Sequence, residues 1–348
     1  MRALASPDAV HRDDPARYLR GLISAAALSQ AIGAAVELRV FDHLAEAPCD
    51  LDALAGATHC SRDGLQRLLR VLVAADLVRP CASAGRFSCT PLGAALAPGG
   101  ARGARGLALW WSRYRWPAWA QLAASLRRGE PVRAAAPEAS GFDRLACDAA
   151  AAATFNDAMT GVSHVVAADV AAKLDLAGVA SVIDVGGGYG VLLSELLAAH
   201  PALHATLLDL PHALGGARET LQSRGLLARC TLLAGDFFQP FPVRAPVCVL
   251  MRVLHDWDDD PCRHILAACR ASVQAAGRLC IIERLLPTDV ACSPEHVEVA
   301  LSDLNMLVML GGRERTAAQL QALLAGSGWR WERVTPLALG FSLIEARA

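Results

Sequence analysis

The sequence places a histidine and a glutamate where two neighbouring strands are expected to end. His255 follows the apolar run 245–251, and Glu283 lies near the end of the run 277–286. A histidine at the carboxyl end of a central strand lies over the ligand crevice of a parallel sheet, and its near-neutral pKa suits it to remove a proton from a hydroxyl group. A carboxylate that accepts the imidazole Nδ1–H would fix the tautomer and stabilise the imidazolium. We therefore expect Glu283 to lie within reach of His255.

Acidic residues crowd the segment after this histidine, at Asp256 and at 258–260. Carboxylates in this position usually cap the helix that follows, which is the interpretation we favour. A metal site built from the same carboxylates is the alternative. The chain has 11 cysteines but no C-x-x-C pair, which argues against a zinc site and against a thioredoxin-like motif.

A glycine-rich segment, SVIDVGGGYG at Ser181–Gly190, predicts a buried strand, a tight turn and a helix over 191–199. The unpaired N–H groups at the start of such a helix suit an anionic group of a bound ligand. The spacing fails the G-x-G-x-x-G pattern of dinucleotide sites, because Val191 stands at the third glycine position. The pattern D-x-G-x-G-x-G resembles motif I of S-adenosylmethionine (SAM) dependent methyltransferases, with an ordinary strand-to-helix turn as the alternative.

Two further acids lie where a nucleoside would need them. Asp209 closes the second predicted strand, 23 residues after Gly186, and could accept hydrogen bonds from both ribose hydroxyls. Asp236 closes the third predicted strand and could accept from the adenine amino group, with the ring of Phe237 at the adenine face. Together with the glycine loop, these residues predict an adenosine-containing cofactor.

Strands and helices alternate over residues 166–348, which predicts a doubly wound, mostly parallel sheet. The five predicted strands cover 181–185, 204–210, 228–236, 245–251 and 277–286. The chain then ends in two strands around a turn at Leu339 and Gly340, an antiparallel hairpin at the edge of the sheet. Methyltransferase folds carry such a hairpin, whereas dinucleotide-binding Rossmann domains usually lack it.

The first hundred residues predict a mainly helical, winged-helix-like dimerisation domain. A polar arm over 1–17 is followed by a long helix from Tyr18 to Leu44, two further helices, a hairpin and a helical turn. DNA binding is the alternative. However, the helix that starts near Ser61 offers few basic residues, and the residues around it are acidic. Residues 101–165 are expected to be a helical linker that contributes to the acceptor pocket, with five large aromatic side chains at 110–119.

Charge and hydropathy limit the possible partners. A net charge of −1 gives no attraction to nucleic acid or to an anionic membrane. The N-terminus lacks the apolar core of a signal peptide, and polar residues interrupt the apolar stretch Leu22–Phe41, so we expect no membrane span. A cytoplasmic homodimer that binds a small molecule is the expected state.

Six segments in order carry a family resemblance: DVGGGYG, LLDLPH, GDFF, RVLHDWDDD, IIERLLP and GGRERT. They resemble plant caffeic-acid and isoflavone O-methyltransferases, and more closely the bacterial secondary-metabolite members of that family. The resemblance implies a class I SAM methyltransferase fold with His255 as general base, flanked by Glu283 and Glu314. It implies SAM contacts at Gly186, Gly188, Asp209, Asp236, Phe237, Met251, Arg252 and Ser163. It implies an acceptor pocket lined by Phe155, Met159, Asp256, Asp303, Asn305 and Met306.

We therefore expect SAM-dependent methylation of an aromatic hydroxyl, with His255 removing the phenolic proton and no metal required. Plant members have a lysine where this chain has Met251, so only a backbone contact is carried over at that position. Two alternatives remain open. The fold could perform diverged chemistry, such as N-methylation, decarboxylation or hydroxylation, or it could serve a non-catalytic SAM-binding regulator.

Overall fold

The computed structural model describes residues 14–82, 85–101, 103–132 and 147–348. These residues form two compact units. One contains the described parts of 1–120 and 147–161, and the other contains those of 121–146 and 162–348. Most of the expected polar arm lies outside the described residues, and its last residues belong to the first helix, which Asp14 caps.

The first unit is mainly helical and carries a small sheet. Its helices are α1 (Pro15–Glu37), α2 (Val40–Glu46), α3 (Leu51–Thr58), α4 (Arg62–Ala74), α5 (Pro91–Ala94), α6 (Ala104–Leu109) and α7 (Trp116–Trp119), with a π-helical segment at Trp110–Arg115. Its strands are β1 (Cys49–Asp50), β2 (Val78–Pro80) and β3 (Arg86–Cys89), in the antiparallel order β1-β3-β2. The sequence predicted the helices and the hairpin, but not the short strand β1 that joins it.

Local chemistry explains why the winged-helix-like region forms. Ser61 caps α4 by accepting a hydrogen bond from the backbone N–H of Gly64 at 3.2 Å. Leu65, Leu69 and Leu72 then repeat at helical spacing and are all buried in the core of the unit. The apolar face therefore fixes how α4 packs.

The prediction of a single helix from Tyr18 to Leu44 is wrong, because α1 ends at Glu37 and α2 begins at Val40. Arg39 adopts a left-handed conformation with φ 61°, which ends the helical hydrogen bonding. The break is stabilised by Asp42, a buried carboxylate that pairs with Arg39 at 3.0 Å and with Arg105 at 2.6 Å. The kink buries Val40 and Phe41 together.

Helix α1 exposes an apolar stripe near its start. Leu19, Leu22 and Ile23 have relative exposures of 55%, 38% and 75%. Among the described residues, α1 is also the one helix whose length and mean hydropathy of 1.4 would allow it to cross a membrane, and only 17% of its most apolar stretch is buried. A long apolar helix that stays exposed in one chain needs a covering surface.

The second unit holds the large sheet. Its helices are α8 (Leu122–Arg128), α9 (Ala149–Lys173, whose first part belongs to the first unit), α10 (Val191–Ala199), α11 (Pro211–Ser223), α12 (Asp259–Ser272), α13 (Pro294–Met309) and α14 (Ala317–Gly326). Its strands are β4 (Ser181–Val185), β5 (His204–Asp209), β6 (Cys230–Ala234), β7 (Ala245–Met251), β8 (Val273–Leu286), β9 (Arg315–Thr316), β10 (Arg330–Pro336) and β11 (Phe341–Arg347).

The strand order β10-β11-β8-β7-β4-β5-β6 confirms the predicted fold class. Strands β4 to β8 pair in parallel, whereas β10 and β11 form the antiparallel edge hairpin that the sequence predicted. The strand order reverses between β4 and β7, and parallel sheets bind ligands at the carboxyl ends of strands at such a reversal. The glycine loop and the His255 segment leave the sheet at that place.

Several element boundaries differ from prediction, and β6 covers only Cys230–Ala234 of the predicted 228–236. Strand β8 begins at Val273 instead of 277, and Ala276 has φ 59° where the pairing of β7 with β8 shifts register. A local irregularity of this kind is hard to see in an apolar pattern. Helix α12 begins at Asp259 because Asp258 caps it, so the acidic segment is part of the helix start.

Candidate active site

His255 lies on a short turn that begins where β7 ends. The turn, a 3-10 helix at Leu254–Asp256, is held by Glu283 of the neighbouring strand β8. Oε1 of Glu283 accepts hydrogen bonds from the backbone N–H groups of Val253 (3.0 Å), Leu254 (2.9 Å) and His255 (3.3 Å). The N–H groups at the start of a helical turn are otherwise unsatisfied, so a buried carboxylate placed there stabilises the turn strongly.

The carboxylate that binds the imidazole is Glu314. His255 Nδ1 lies 3.0 Å from Oε1 of Glu314, and 3.6 Å from Oε2 of Glu283. The expectation that Glu283 lies within reach of His255 is confirmed, but the hydrogen-bond partner of Nδ1 is Glu314, whereas Oε1 of Glu283 accepts from the backbone. With Nδ1 turned to Glu314, Nε2 is the nitrogen left for a substrate.

Glu314 is itself positioned by α13. Its Oε1 accepts a hydrogen bond from the hydroxyl of Ser302 at 2.7 Å, and its backbone N–H donates to Oδ1 of Asp303 at 2.8 Å. Sequence reasoning missed Ser302, and it assigned Asp303 only to the acceptor pocket. The sequence did not predict their contact with Glu314, because a loop separates Glu314 from α13 and no regular spacing applies across it.

Three carboxylates set the protonation of His255. Burial lowers the pKa of the imidazole, but the negative charges of Glu283, Glu314 and Asp256 outweigh it and raise the pKa to about 10. Burial, together with Glu314 and Asp256, raises the pKa of Glu283 to about 7, against the opposing effect of His255. Burial also acts to raise the pKa of Glu314, but its contact with His255 holds it below its usual value.

The acidic residues 258–260 after His255 cap helix α12 and form ion pairs with arginines. The capping confirms the interpretation favoured from the sequence. Asp258 is the N-cap of α12 and pairs with Arg313 at 2.8 Å. Asp259 pairs with Arg315 at 2.8 Å, and Asp260 pairs with Arg263. Asp256 differs from these three, because its Oδ1 lies 3.5 Å from Nε2 of His255.

One group of described residues has the composition of a metal site. Ligand atoms of His255, Glu283 and Glu314 lie within 4.8 Å of one another, and all three residues are buried. In this group, Nδ1 of His255 already bonds to Glu314, and one oxygen of Glu283 holds the backbone turn. One oxygen of each glutamate is thus engaged, whereas Oε2 of each has no hydrogen-bond partner within the described residues.

The glycine loop follows β4 and leads into α10, as predicted. Gly186, Gly188 and Gly190 have φ values of 71°, 54° and 72°, which other residues rarely adopt. Gly187 is constrained by space: a Cβ there would lie 2.7 Å from Oδ2 of Asp184 and 2.9 Å from Cγ of Leu207. The loop therefore presents bare backbone to a ligand.

Beneath this loop lies Asp184, to which the sequence gave no individual role. It is 1% exposed, and neither carboxylate oxygen has a hydrogen-bond partner within the described parts of the chain. Burial and the charge of Asp209 raise its pKa to about 7. A buried carboxyl group of this kind indicates a binding site, since unsatisfied polar groups are costly elsewhere.

The two predicted nucleoside acids lie beyond the loop. Asp209 is the last residue of β5 and accepts hydrogen bonds from the backbone N–H groups of Gly188 and Leu210, both at 2.7 Å. Asp236 follows β6 on the exposed surface and accepts from the N–H of Phe238 at 2.9 Å. The ring of Phe237 lies beside Gly186, at 3.6 Å from the position of a Cβ there. The loop, Asp209, Asp236 and Phe237 thus line one edge of the sheet and fit an adenosine group.

The remaining predicted cofactor residues lie at and just after the end of β7 and on α9. Met251 ends β7, and Arg252 follows with a left-handed φ of 59°. Its guanidinium lies 3.4 Å from the hydroxyl of Ser163, a buried residue of α9. A strained non-glycine residue at the end of a strand is typical of functional sites.

The predicted acceptor residues lie in both units. Asn305 and Met306 are buried on α13 in the second unit, next to Asp303. Phe155 and Met159 lie on the first part of α9 in the first unit, where Phe155 contacts Trp110 edge-on with 5.1 Å between ring centroids. Other aromatics of that cluster pair with one another, including Trp110 with Tyr114 and Trp111 with Trp119. Their roles toward an acceptor remain predictions.

Comparison with known proteins agrees with this arrangement. Residues 119–330 match the model of an O-methyltransferase domain, and residues 21–99 match that of an O-methyltransferase dimerisation domain. The chain is 37% identical to a mitomycin biosynthesis 6-O-methyltransferase of Streptomyces lavendulae, covering 96% of this chain and 95% of that protein. It is 35% identical to the phenazine O-methyltransferase PhzM of Lysobacter antibioticus, covering 92% of each.

Solved structures give the same result. The mitomycin 7-O-methyltransferase MmcR superposes with a TM-score of 0.88 at 36% identity, covering 95% of this chain and 97% of that one. NcsB1, an O-methyltransferase from neocarzinostatin biosynthesis solved with SAM and 2-hydroxy-5-methyl naphthoic acid, superposes with a TM-score of 0.81 at 33% identity, covering 95% and 98%. This chain therefore belongs to the O-methyltransferase family and is a SAM-dependent O-methyltransferase that carries the family's dimerisation domain.

Proposed function

We propose that this enzyme methylates a hydroxyl group on an aromatic secondary metabolite, with His255 as general base and without a metal ion. The observation that carries the proposal is the hydrogen bond between Nδ1 of His255 and Glu314, which leaves Nε2 as the nitrogen that would take the acceptor's proton. The similarity to a mitomycin biosynthesis 6-O-methyltransferase and to a phenazine O-methyltransferase supports the substrate class. Asp256, Asn305 and Met306 are proposed to contact the acceptor in the second unit.

The residues around the glycine loop fit SAM. Backbone N–H groups of the loop, the carboxylates of Asp209 and Asp236 and the ring of Phe237 would hold its adenosine part, with Met251, Arg252 and Ser163 beyond them. When bound, SAM supplies an activated methyl group on a sulfonium. The protein's share of the catalysis is then to orient the acceptor and remove its proton.

The raised pKa of His255 matches this task. A phenol has a pKa of about 10, and the carboxylates around His255 raise its pKa to about 10 as well. A raised pKa makes the imidazole a stronger base toward the phenolic proton, and it also means that the imidazole is unprotonated only at higher pH. The same carboxylates stabilise the imidazolium that forms, and Glu314 holds its ring in place.

A test of the base begins with an acceptor panel of phenols, phenazines and anthraquinones incubated with SAM and read by mass spectrometry. With the acceptor found, we expect His255→Gln to lower kcat by about 100-fold or more, because general base catalysis is lost. Binding of S-adenosylhomocysteine (SAH), measured by calorimetry, should change by less than about twofold. His264→Gln is the matched control, since His264 is exposed on α12. Full activity in the His255 variant refutes the base.

The charges around His255 also predict a pH dependence. Because the base must be unprotonated and its pKa is raised to about 10, kcat should increase with pH well above the ordinary histidine range. Removing one carboxylate by Glu314→Gln should shift this rise to lower pH by about one unit or more, and should also lower the rate at the high-pH plateau. Profiles of kcat against pH for both proteins make the comparison. A rise centred near pH 6.5 in the unmodified enzyme contradicts the assignment.

Metal independence is tested by chelation. We expect full activity in excess EDTA, because hydrogen bonds already engage His255, Glu283 and Glu314 with one another and with the backbone. The measurement is the initial rate of methyl transfer before and after dialysis against EDTA. Loss of activity that returns on addition of Mg²⁺ or Zn²⁺ would instead make these three residues a metal site.

We further propose that the enzyme is a cytoplasmic homodimer, and that the exposed apolar stripe of α1 is covered by a second copy of the chain. The stripe lies within or next to residues 21–99, which match the family's dimerisation domain. Burial in a dimer removes the stripe from water without a membrane.

A charge within this stripe should weaken the dimer. We expect Ile23→Glu, which places an unpaired carboxylate in the apolar contact, to raise the dimer dissociation constant by about tenfold or more. Ser24→Glu adds the same charge on the neighbouring exposed position, away from the stripe, and should leave the dimer intact. Light scattering over a dilution series reports the mass. Equal dimerisation of both variants rejects α1 as the interface.

A further inference from the structure

The turn that carries His255 is held by a second buried charge, the guanidinium of Arg315. This side chain is 4% exposed and donates hydrogen bonds to two backbone carbonyls of the turn region. Nη1 donates to the carbonyl of Leu254 at 3.0 Å, and Nη2 donates to that of Trp257 at 2.9 Å. The two acceptors lie on either side of His255 in the chain, so one planar group spans the residue that acts as base.

Asp259 fixes the orientation of this guanidinium. Its Oδ1 accepts hydrogen bonds from Nε of Arg315 at 3.0 Å and from Nη2 at 2.8 Å. Asp259 belongs to the first turn of α12, so Arg315 ties the catalytic turn to the helix that follows it. A lysine could carry the charge but not the fork, because its ammonium cannot donate along three fixed directions in one plane.

Other residues also contact the same turn. The backbone N–H groups at its start donate to Glu283, and the buried thiol of Cys262 lies 3.2 Å from the carbonyl of Leu254. Gly312 packs directly on the backbone of His255 and Asp256. A Cβ at position 312 would overlap that backbone. The turn is therefore clamped between an acceptor for its N–H groups and a donor for its carbonyls.

We propose that Arg315, oriented by Asp259, is a positioning residue that holds the His255 turn at a fixed place relative to Glu314. Glu314 directly precedes Arg315, and Arg315 begins β9, which pairs with Leu285 of β8. One rigid segment thus carries both the acid that binds Nδ1 and the clamp that binds the turn. This inference rests on the proposed function, in which His255 is the base.

Weakening the contacts between Arg315 and the His255 turn would have two opposite consequences for catalysis. The groups that face His255 are Glu314 in the loop before β9, Glu283 on β8 and Asp256 on its own turn. If the turn moves away from Glu314, the imidazole loses part of its charge compensation and its proton is held less tightly. The base is then free at lower pH, but it is misplaced, so the maximal rate falls.

The test compares Arg315→Lys with the unmodified enzyme. We expect the plateau kcat at high pH to fall about tenfold or more, the rise of kcat to shift to lower pH by about one unit, and SAH affinity to stay within about twofold. Rates are expressed per SAH-binding site, so unfolded protein does not count. Arg313→Lys is the matched control: Arg313 lies two residues earlier, pairs with Asp258 at 2.8 Å and is half exposed. It should change neither kcat nor its pH dependence.

A readout without turnover separates this inference from the proposed function. The titration of His255, followed by NMR and assigned with His255→Gln, should move to lower pH in Arg315→Lys and, to a smaller degree, in Asp259→Asn. An unchanged titration in both variants overturns the positioning role, even if stability falls. Conversely, a shifted titration alongside a fully active His255→Gln enzyme leaves the clamp intact and refutes the proposed base.

Discussion

The site of the second unit depends on one constraint: an imidazole and two glutamates are buried together, so their charges must be compensated within the protein. His255, Glu283 and Glu314 are 8%, 4% and 2% exposed, so water contributes little to their solvation. Each charge would be costly alone, and removing one partner of such a group leaves the others uncompensated. The arrangement that satisfies them turns Nδ1 toward Glu314 and leaves Nε2 for chemistry. The raised basicity of the histidine follows from the same proximity.

This constraint explains the contacts that surround it. Glu283 uses one oxygen to hold three backbone N–H groups, Ser302 and Asp303 hold Glu314, and Arg315 holds the carbonyls of the turn. These contacts form one connected hydrogen-bond network, while Oε2 of Glu283 and Oε2 of Glu314 have no hydrogen-bond partner within the described residues. If His255 is the base, as proposed, its rigid placement would cost no reorganisation when the substrate arrives. The network would then serve both stability and catalysis.

The sheet brings the two halves of the reaction together. The glycine loop leaves β4 and the catalytic turn leaves β7, and these adjacent strands flank the point where the strand order reverses. A ligand bound there touches loops from both sides of the sheet. In the proposed reaction, the methyl donor would bind at the glycine loop and the acceptor hydroxyl would face His255. The cofactor half of the site can be kept while the acceptor half varies.

Local patterns in the sequence determined the elements and the chemistry they could carry. The apolar runs, the glycines with positive φ and the capping acids act over a few residues, so they predicted β4, β7, α10, the edge hairpin and the position of His255 just after β7. Tertiary structure alone decided which carboxylate binds the imidazole, because Glu283 and Glu314 reach it through long-range packing and differ only in which groups already occupy their oxygens. It also decided the break at Arg39 and the clamp of Arg315, since each depends on a partner distant in the chain. Pairing of buried charges is a property of the folded state, and no local pattern encodes it.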